Sequence, residues 1–291
     1  MKAKIIILTP VYNDWKNLSK LLAKINMIFK NKIKTNFDLV VVNDCSTESF
    51  NYKKLKFKNL NKITLISLFK NVGSQRALAI GIKFINKMYK KNYRTIIIDS
   101  DGQDNPKGIL KMLKVSNLKP NNAIVVNRGQ RKESLWFKIF YEVYNILVKL
   151  FTGKKLRFGN FSYLNSKDIK NISNDKDLWS AFPPIVSNNL KNISYITMDR
   201  EKRFSGDSKM NFFGLFLHAL RVFSALRSKI IISSVIYLFF AFFMFYKYEF
   251  FIIFYLILFC LFLLNLSNFI MTYSNKKNFL YNFKKAKIRR I

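Results

Sequence analysis

Two stretches near the C-terminus, 230–246 and 250–273, contain no charged residue. At 17 and 24 residues they bracket the roughly 20 that a helix needs to cross a bilayer. Lys247, Tyr248 and Glu249 make a short turn between them, and Lys247 can complete the first span by reaching to the interface. The pattern predicts a helical hairpin that crosses a membrane twice. A hairpin buried in a soluble core is the competing reading, but so much Phe, Ile and Leu would need an unusually large covering surface. Lys276, Lys277, Lys284, Lys285, Lys287, Arg289 and Arg290 crowd the tail beyond it. The positive-inside rule then puts the tail, and the long N-terminal part with it, in the cytoplasm. Just ahead of the hairpin, Phe212, Phe213, Leu215, Phe216, Leu220, Phe223 and Leu226 share a helical pattern with Lys209, Arg221 and Arg227. Such a helix either lies in the membrane interface or packs in a core.

Composition narrows the partners. The chain has 51 Lys and Arg against 16 Asp and Glu, for a formal net charge of +35. Clustered cations can neutralise nucleic-acid phosphates, yet no helix-turn-helix, zinc-finger or RNA-binding signature accompanies them. An anionic membrane surface is the better match, and no nucleic-acid partner is expected. The two cysteines, Cys45 and Cys260, fall in a polar turn and an apolar stretch, so no disulfide is expected. One histidine, His218, leaves little material for a His/Cys metal site or a Ser-His-Asp triad, and a structural or interfacial role is expected of it.

Along the first 130 residues, apolar runs of strand type recur at 5–8, 39–42, 63–68, 95–98 and 123–126. Helical spacing separates several of them: Leu18, Leu21, Leu22, Ile25 and Ile28, then Ala77, Leu78, Phe84, Ile85 and Met88. Pro106 suits the first position of a helix running to about Val115, and 135–151 reads as a longer helix whose aromatic stripe belongs to the core. Strands alternating with helices predict an α/β fold with a mostly parallel sheet covered on both faces. Neither a P-loop nor a G-x-G-x-x-G turn is present. Instead, the run at 95–98 is followed by Asp99-Ser-Asp-Gly-Gln-Asp-Asn-Pro106. Ligands of open α/β sheets bind beyond the carboxyl ends of their strands, and Asp99 and Asp101 with Gln103 suit a hard divalent cation that also holds a diphosphate.

Three further motifs follow the first three strands: Thr9-Pro10-Val-Tyr12-Asn13-Asp14, Val42-Asn43-Asp44-Cys45-Ser46-Thr47 and Asn71-Val-Gly73-Ser-Gln75-Arg76-Ala77. Together the four resemble the family 2 inverting glycosyltransferases with the GT-A fold. Arg203-Phe-Ser-Gly206-Asp-Ser208-Lys209-Met210 and Val126-Asn-Arg128-Gly-Gln-Arg131 are similar to segments of the polyprenyl-phosphate glycosyltransferases, which include dolichol-phosphate mannose synthases and undecaprenyl-phosphate sugar transferases. The resemblance spans about 4–228. It departs from the family pattern at Asn43 for Asp, Cys45 for Gly, Asn105 for Pro and Met210 for Tyr. If the usual Gly serves a positive φ, Cys45 has to adopt it.

The resemblance implies a GT-A catalytic domain over 1–210, an interfacial helix over 211–229, the hairpin over 230–273 and a basic cytoplasmic tail over 274–291. It implies a nucleotide-sugar pocket of Pro10, Tyr12, Asn13, Asp44 and Asp99, joined by Arg128 and Arg131, with Asp44 accepting from base or ribose. Asp99, Asp101 and Gln103 would hold Mg²⁺ or Mn²⁺. Arg203, Ser208 and Lys209 would hold an acceptor phosphate, with Asp101, Arg203 and Lys209 the residues on which transfer depends. The implied partners are a nucleotide-sugar donor, polyprenyl phosphate and membrane lipids, in a multi-pass protein of the cell inner membrane, and the hairpin offers a surface for a second copy. A family 2 enzyme with another lipid or polysaccharide acceptor, and a non-catalytic sugar-nucleotide-binding adaptor, stay open as alternatives.

Overall fold

The computed structural model of the chain describes residues 3–50, 57–90, 92–129, 135–154, 156–206, 212–248 and 251–290. Eight strands form one sheet: β1 (Lys4–Val11), β2 (Phe37–Asn43), β3 (Leu60–Ser67), β4 (Tyr93–Ile97), β5 (Ala123–Arg128), β6 (Phe158–Asn165), β7 (Ile193–Met198) and β8 (Lys287–Arg290). Their order is β7-β5-β6-β4-β1-β2-β3-β8. The pairs β1/β2, β1/β4, β2/β3 and β5/β7 are parallel. Those made by β6 and β8 are antiparallel. The first five strands match the apolar runs read from the sequence.

Side chains alternate across a strand, and here both faces are covered, so the strands read as continuous apolar runs. Ile6 and Leu8 of β1, with Val40 and Val42 of β2, pack on one face against Ala77, Leu78 and Ile82. These belong to α2 (Ser74–Met88). Ile5, Ile7, Leu39 and Val41 point to the other face, against Leu18, Leu21, Leu22 and Ile25 of α1 (Trp15–Ile28). A π-helical turn, Phe29–Ile33, extends α1. On the same side lies α3 (Gly108–Leu118). It begins two residues later than Pro106 predicts: residues 105–108 form a turn, with the Gly108 N–H donating to Asn105 O at 2.9 Å and that of Ile109 to Pro106 O at 3.0 Å.

Three short helical segments complete the α2 side: α5 (Ser166–Ser173), a 3₁₀ turn (Lys176–Trp179) and α6 (Phe182–Asn189). Then come α4 (Leu135–Thr152), α7 (Phe212–Ala225), α8 (Arg227–Tyr248) and α9 (Phe251–Lys285). The aromatic stripe of α4 is core in part: Tyr144 and Phe151 pack against the core of the α2 side, while Phe140, Tyr141 and Tyr144 also wall a cavity. The aliphatic Ile139, Val143, Ile146, Leu147 and Leu150 are exposed, one face of the helix by spacing. The helix packs on α8, where Ser233 Oγ donates to Phe151 O at 2.8 Å and the Tyr237 hydroxyl to Leu150 O at 2.6 Å.

Two segments are long and apolar enough to cross a membrane, Arg227–Lys247 and Phe251–Thr272, with mean hydropathy 2.0 and 2.3 and few of their residues buried. A salt bridge at 3.5 Å from Arg227 to Asp177 ties the start of the first to the 3₁₀ turn. The second continues as helix to Lys285, so part of the basic tail is helical, and residues 287–290 then return to the sheet beside β3.

Candidate active site

Because β1 to β4 are parallel, the loops that follow them emerge on one edge of the sheet, and that edge is where the four motifs meet. A cavity of about 620 Å³ opens there. Pro10, Tyr12, Asp14, Asp44, Asp99, Asp101 and Gln103 line it together with Arg128, Arg200 and Arg203, and α4 and α7 contribute further wall.

The acidic lining is held by a hydrogen-bond network. Asn160 on β6 donates from Nδ2 to Asp99 Oδ1 at 2.9 Å and accepts from Gln75 Nε2 at 2.8 Å. Gln75 Oε1 in turn accepts the Phe182 N–H at 2.9 Å. Asp101 Oδ1 accepts the Gln103 N–H at 2.9 Å. Arg203 lies across the two acidic loops, donating from Nη2 to Asp14 Oδ2 at 3.0 Å, with Nη1 3.7 Å from Asp101 Oδ2. Burial first, and then the neighbouring Asp99, push the Asp101 carboxyl above its usual range. Like charges forced together in a partly dry site favour a cation between them. The donor set therefore fits a hard divalent ion, though it offers a carboxylate pair; among the described residues no group of three or more His, Cys, Asp or Glu is arranged to hold a metal.

Backbone geometry explains why small residues stand here. Gly102 has φ +80°, and a Cβ there would sit 2.3 Å from the Phe204 ring. That ring belongs to the segment carrying Arg203, whose backbone docks through Phe204 N–H to Asp101 O at 3.3 Å. Gly159 lets Arg128 lie close, since a Cβ would meet Nη2 at 2.5 Å. Cys45 does adopt a left-handed φ of 59°.

Two residues expected in the nucleotide pocket also hold the loops of this edge together. Asp44 is 2% exposed, and its two oxygens accept the Val72 and Gly73 N–H groups, each at 2.8 Å. Burial raises its carboxyl to about 6, against those hydrogen bonds and Arg76, which lower it. It shapes the β3–α2 loop while still lining the cavity. Asn13, at φ 48°, lies off the cavity wall. It stitches the first two loops together, donating its N–H to Ser46 Oγ at 3.0 Å and accepting at Oδ1 from Thr47 N–H at 2.8 Å. Tyr12 is 36% exposed on the rim. Arg131, Ser208 and Lys209 lie outside the described residues.

Asn160, Arg200, His218 and Arg221 also line the cavity, and none is marked by a sequence motif. His218 is pushed down to about 4 by burial, then by Arg128 and Arg221, so it stands there as a neutral imidazole.

Comparison with known proteins decides the family. The model for Glycosyl transferase family 2 matches residues 6–172, more than half of the chain. The chain belongs to glycosyl transferase family 2. An uncharacterized glycosyltransferase of Synechocystis sp. is 26% identical over 231 residues, covering 76% of this chain and 68% of the relative. Among solved structures, the glucosyl-3-phosphoglycerate synthase of Mycobacterium tuberculosis, in complex with Mn²⁺, UDP and glucosyl-3-phosphoglycerate, aligns at TM-score 0.52 with 12% identity, covering 78% of this chain and 80% of that one. The mannosyl-3-phosphoglycerate synthase of Rubrobacter xylanophilus aligns at TM-score 0.52 with 10% identity, covering 78% and 74%. These two share the fold. The chain also spans 59% of the length of Staphylococcus aureus TarS 1-349, at TM-score 0.44 and 18% identity. The GT-A-like sheet with two apolar C-terminal helices thus carries a family 2 glycosyltransferase domain.

Proposed function

We propose that this family 2 domain transfers one sugar from a nucleotide-sugar donor to a polyprenyl phosphate at the cytoplasmic face of a membrane, inverting the anomeric centre. One observation carries the reading: a single cavity is lined both by carboxylates and by aromatic and apolar residues of α4 and α7, two helices that contact the apolar helix α8. A donor diphosphate suits the first lining and a lipid acceptor the second. The Mn²⁺ and UDP bound by the M. tuberculosis relative support the donor half.

Asp99 and Asp101, with Gln103, would hold Mg²⁺ or Mn²⁺, which when bound supplies Lewis-acid stabilisation of the departing nucleoside diphosphate. The residues of the chain do the rest. Asn160 fixes the Asp99 carboxylate, the Gln103 N–H fixes that of Asp101, and Arg203 balances Asp14 and Asp101 at the meeting point of the two substrates. Pro10 and Tyr12 flank the nucleoside beside the loop that Asp44 shapes, and Arg128 faces the diphosphate. The acceptor oxygen attacks the anomeric carbon from the side opposite the diphosphate, forming one C–O bond as the other breaks. A phosphate monoester has its second pKa near 6, by analogy with phosphorylated side chains. Its oxygen is already anionic at neutral pH, and no strong base is required. The protein's main task is holding two mutually repelling anions in line.

Membranes carrying the protein, incubated with a panel of radiolabelled nucleotide sugars, test this. Label is expected in an organic-extractable, acid-labile phosphosugar. Label in a neutral glycolipid or in polymer would replace the acceptor assignment, and donor binding without turnover would replace catalysis by an adaptor role.

A further inference from the structure

The cavity face of α7 carries a second cationic site, distinct from Arg203. Gly214, Leu215, His218, Ala219, Arg221 and Val222 line the cavity at helical spacing, and within that face only His218 and Arg221 are polar. Arg203 is matched by Asp14 and Asp101. Arg221 is not: among the described residues no carboxylate lies within ion-pair reach of it, and its Nε is buried without a hydrogen-bond partner. Its charged neighbours are themselves basic. Burial first, and then Arg221, push the Arg76 guanidinium down to about 10, against Asp44, which raises it, and burial, with Arg128 and Arg221, keeps His218 neutral. A cation without a carboxylate partner on a cavity wall carries a desolvation cost that a bound anion relieves.

The surroundings specify which anion. Gly73, Ser74 and Gln75 line the same cavity at the N-terminus of the 15-residue α2, which adds partial positive charge. Leu215, Val222, Phe140, Tyr141 and Tyr144 supply an apolar surface next to it, with Tyr144 edge-on to Phe223 at 6.3 Å. A guanidinium and a neutral imidazole N–H can both donate to phosphate oxygens, and the apolar wall suits a hydrocarbon attached to that phosphate.

We propose that Arg221 and His218 of α7 seat the phosphate of the acceptor, with the first part of its hydrocarbon between α4 and α7. This rests on the polyprenyl-phosphate reading above and assigns it residues outside the Arg203 segment.

The test is equilibrium binding of farnesyl phosphate to the full-length protein in lipid nanodiscs, with farnesol and inorganic phosphate as separate probes and UDP with Mn²⁺ as the donor-side control. Farnesyl phosphate should bind more tightly than either separate probe. Arg221→Gln and His218→Gln should each weaken it about tenfold or more, Arg221→Lys should recover part of the loss, and UDP binding should not change. Wild-type affinity in Arg221→Gln, a loss confined to UDP, or no binding of farnesyl phosphate by the wild-type protein would overturn the seat. Equal binding of inorganic phosphate and farnesyl phosphate would overturn the hydrocarbon assignment. The two readings fail separately. Arg221-dependent binding without any phosphosugar product leaves the seat and removes the reaction; product formation with an unchanged acceptor KM in Arg221→Gln does the reverse.

Discussion

Asn160 is an amide placed between two groups that each need a fixed orientation. It donates to Asp99 and accepts from Gln75, so the carboxylate is presented to the cavity in one rotamer. Asn160→Ala leaves Asp99 free to turn, and transfer activity is expected to fall about tenfold with little change in the thermal midpoint, because the site is partly open to water. On the proposed reading, Asp101→Asn removes one of the two carboxylates that would hold the cation against the donor diphosphate. A loss of about a hundredfold or more in turnover is expected, with the fold retained by circular dichroism. Cys45 shows the opposite case, a residue that costs stability where it stands. Its φ of 59° places Cβ too close to the following carbonyl, at about 1 kcal/mol for a non-glycine residue. Cys45→Gly should therefore raise the denaturation midpoint in detergent while leaving turnover intact.

Single elements explain both the rigidity of the scaffold and its response to pH. Helix α5 is only eight residues long and depends on its N-terminal capping box, in which Asn165 Oδ1 accepts the Asp168 N–H at 2.9 Å and Asp168 Oδ2 accepts the Asn165 N–H at 3.0 Å. Burial lifts the Asp168 carboxyl from the usual 3.8 to about 6, against the Asn165 hydrogen bond and Lys167, which pull it down. Between those values the folded chain keeps a proton that the unfolded chain has released. The contribution of Asp168 to stability therefore falls as pH rises through that window and is level above it. Asp168→Asn should flatten this part of the curve, which thermal unfolding followed from about pH 4 to about pH 6.5 will show. Helix α4 works through its two faces: Tyr141 and Tyr144 line the cavity, and Ile139, Val143 and Ile146 face outward.

At the scale of the whole molecule, β8 joins the two ends of the chain. Pairing of Lys287–Arg290 with 64–67 covers the edge of β3, which would otherwise be an unpaired template for other chains. It also requires the chain to return to the side it left, as two membrane crossings would do. Arg289→Pro removes the ladder N–H opposite Leu65 and should cost about 1 kcal/mol for the bond lost, seen as faster amide exchange at residues 64–67 and greater aggregation. The sequence by itself determined what depends on neighbouring residues. The strands up to 128, α1, α2, the acidic turn after β4 and the two apolar helices all declare themselves through local periodicity, because burial on both faces of a parallel sheet or along a whole helix needs no knowledge of the partner. Tertiary structure alone decided the rest. The polar–apolar mixture in β6 and β7 becomes strand only when β4 and β5 pair with it, and β8 finds its partner more than 200 residues away. Asn160, His218 and Arg221 acquire meaning only when β6 and α7 are laid against the motif loops. A hydrogen bond or an unmatched charge depends on distance through space, and distance along the chain does not carry it.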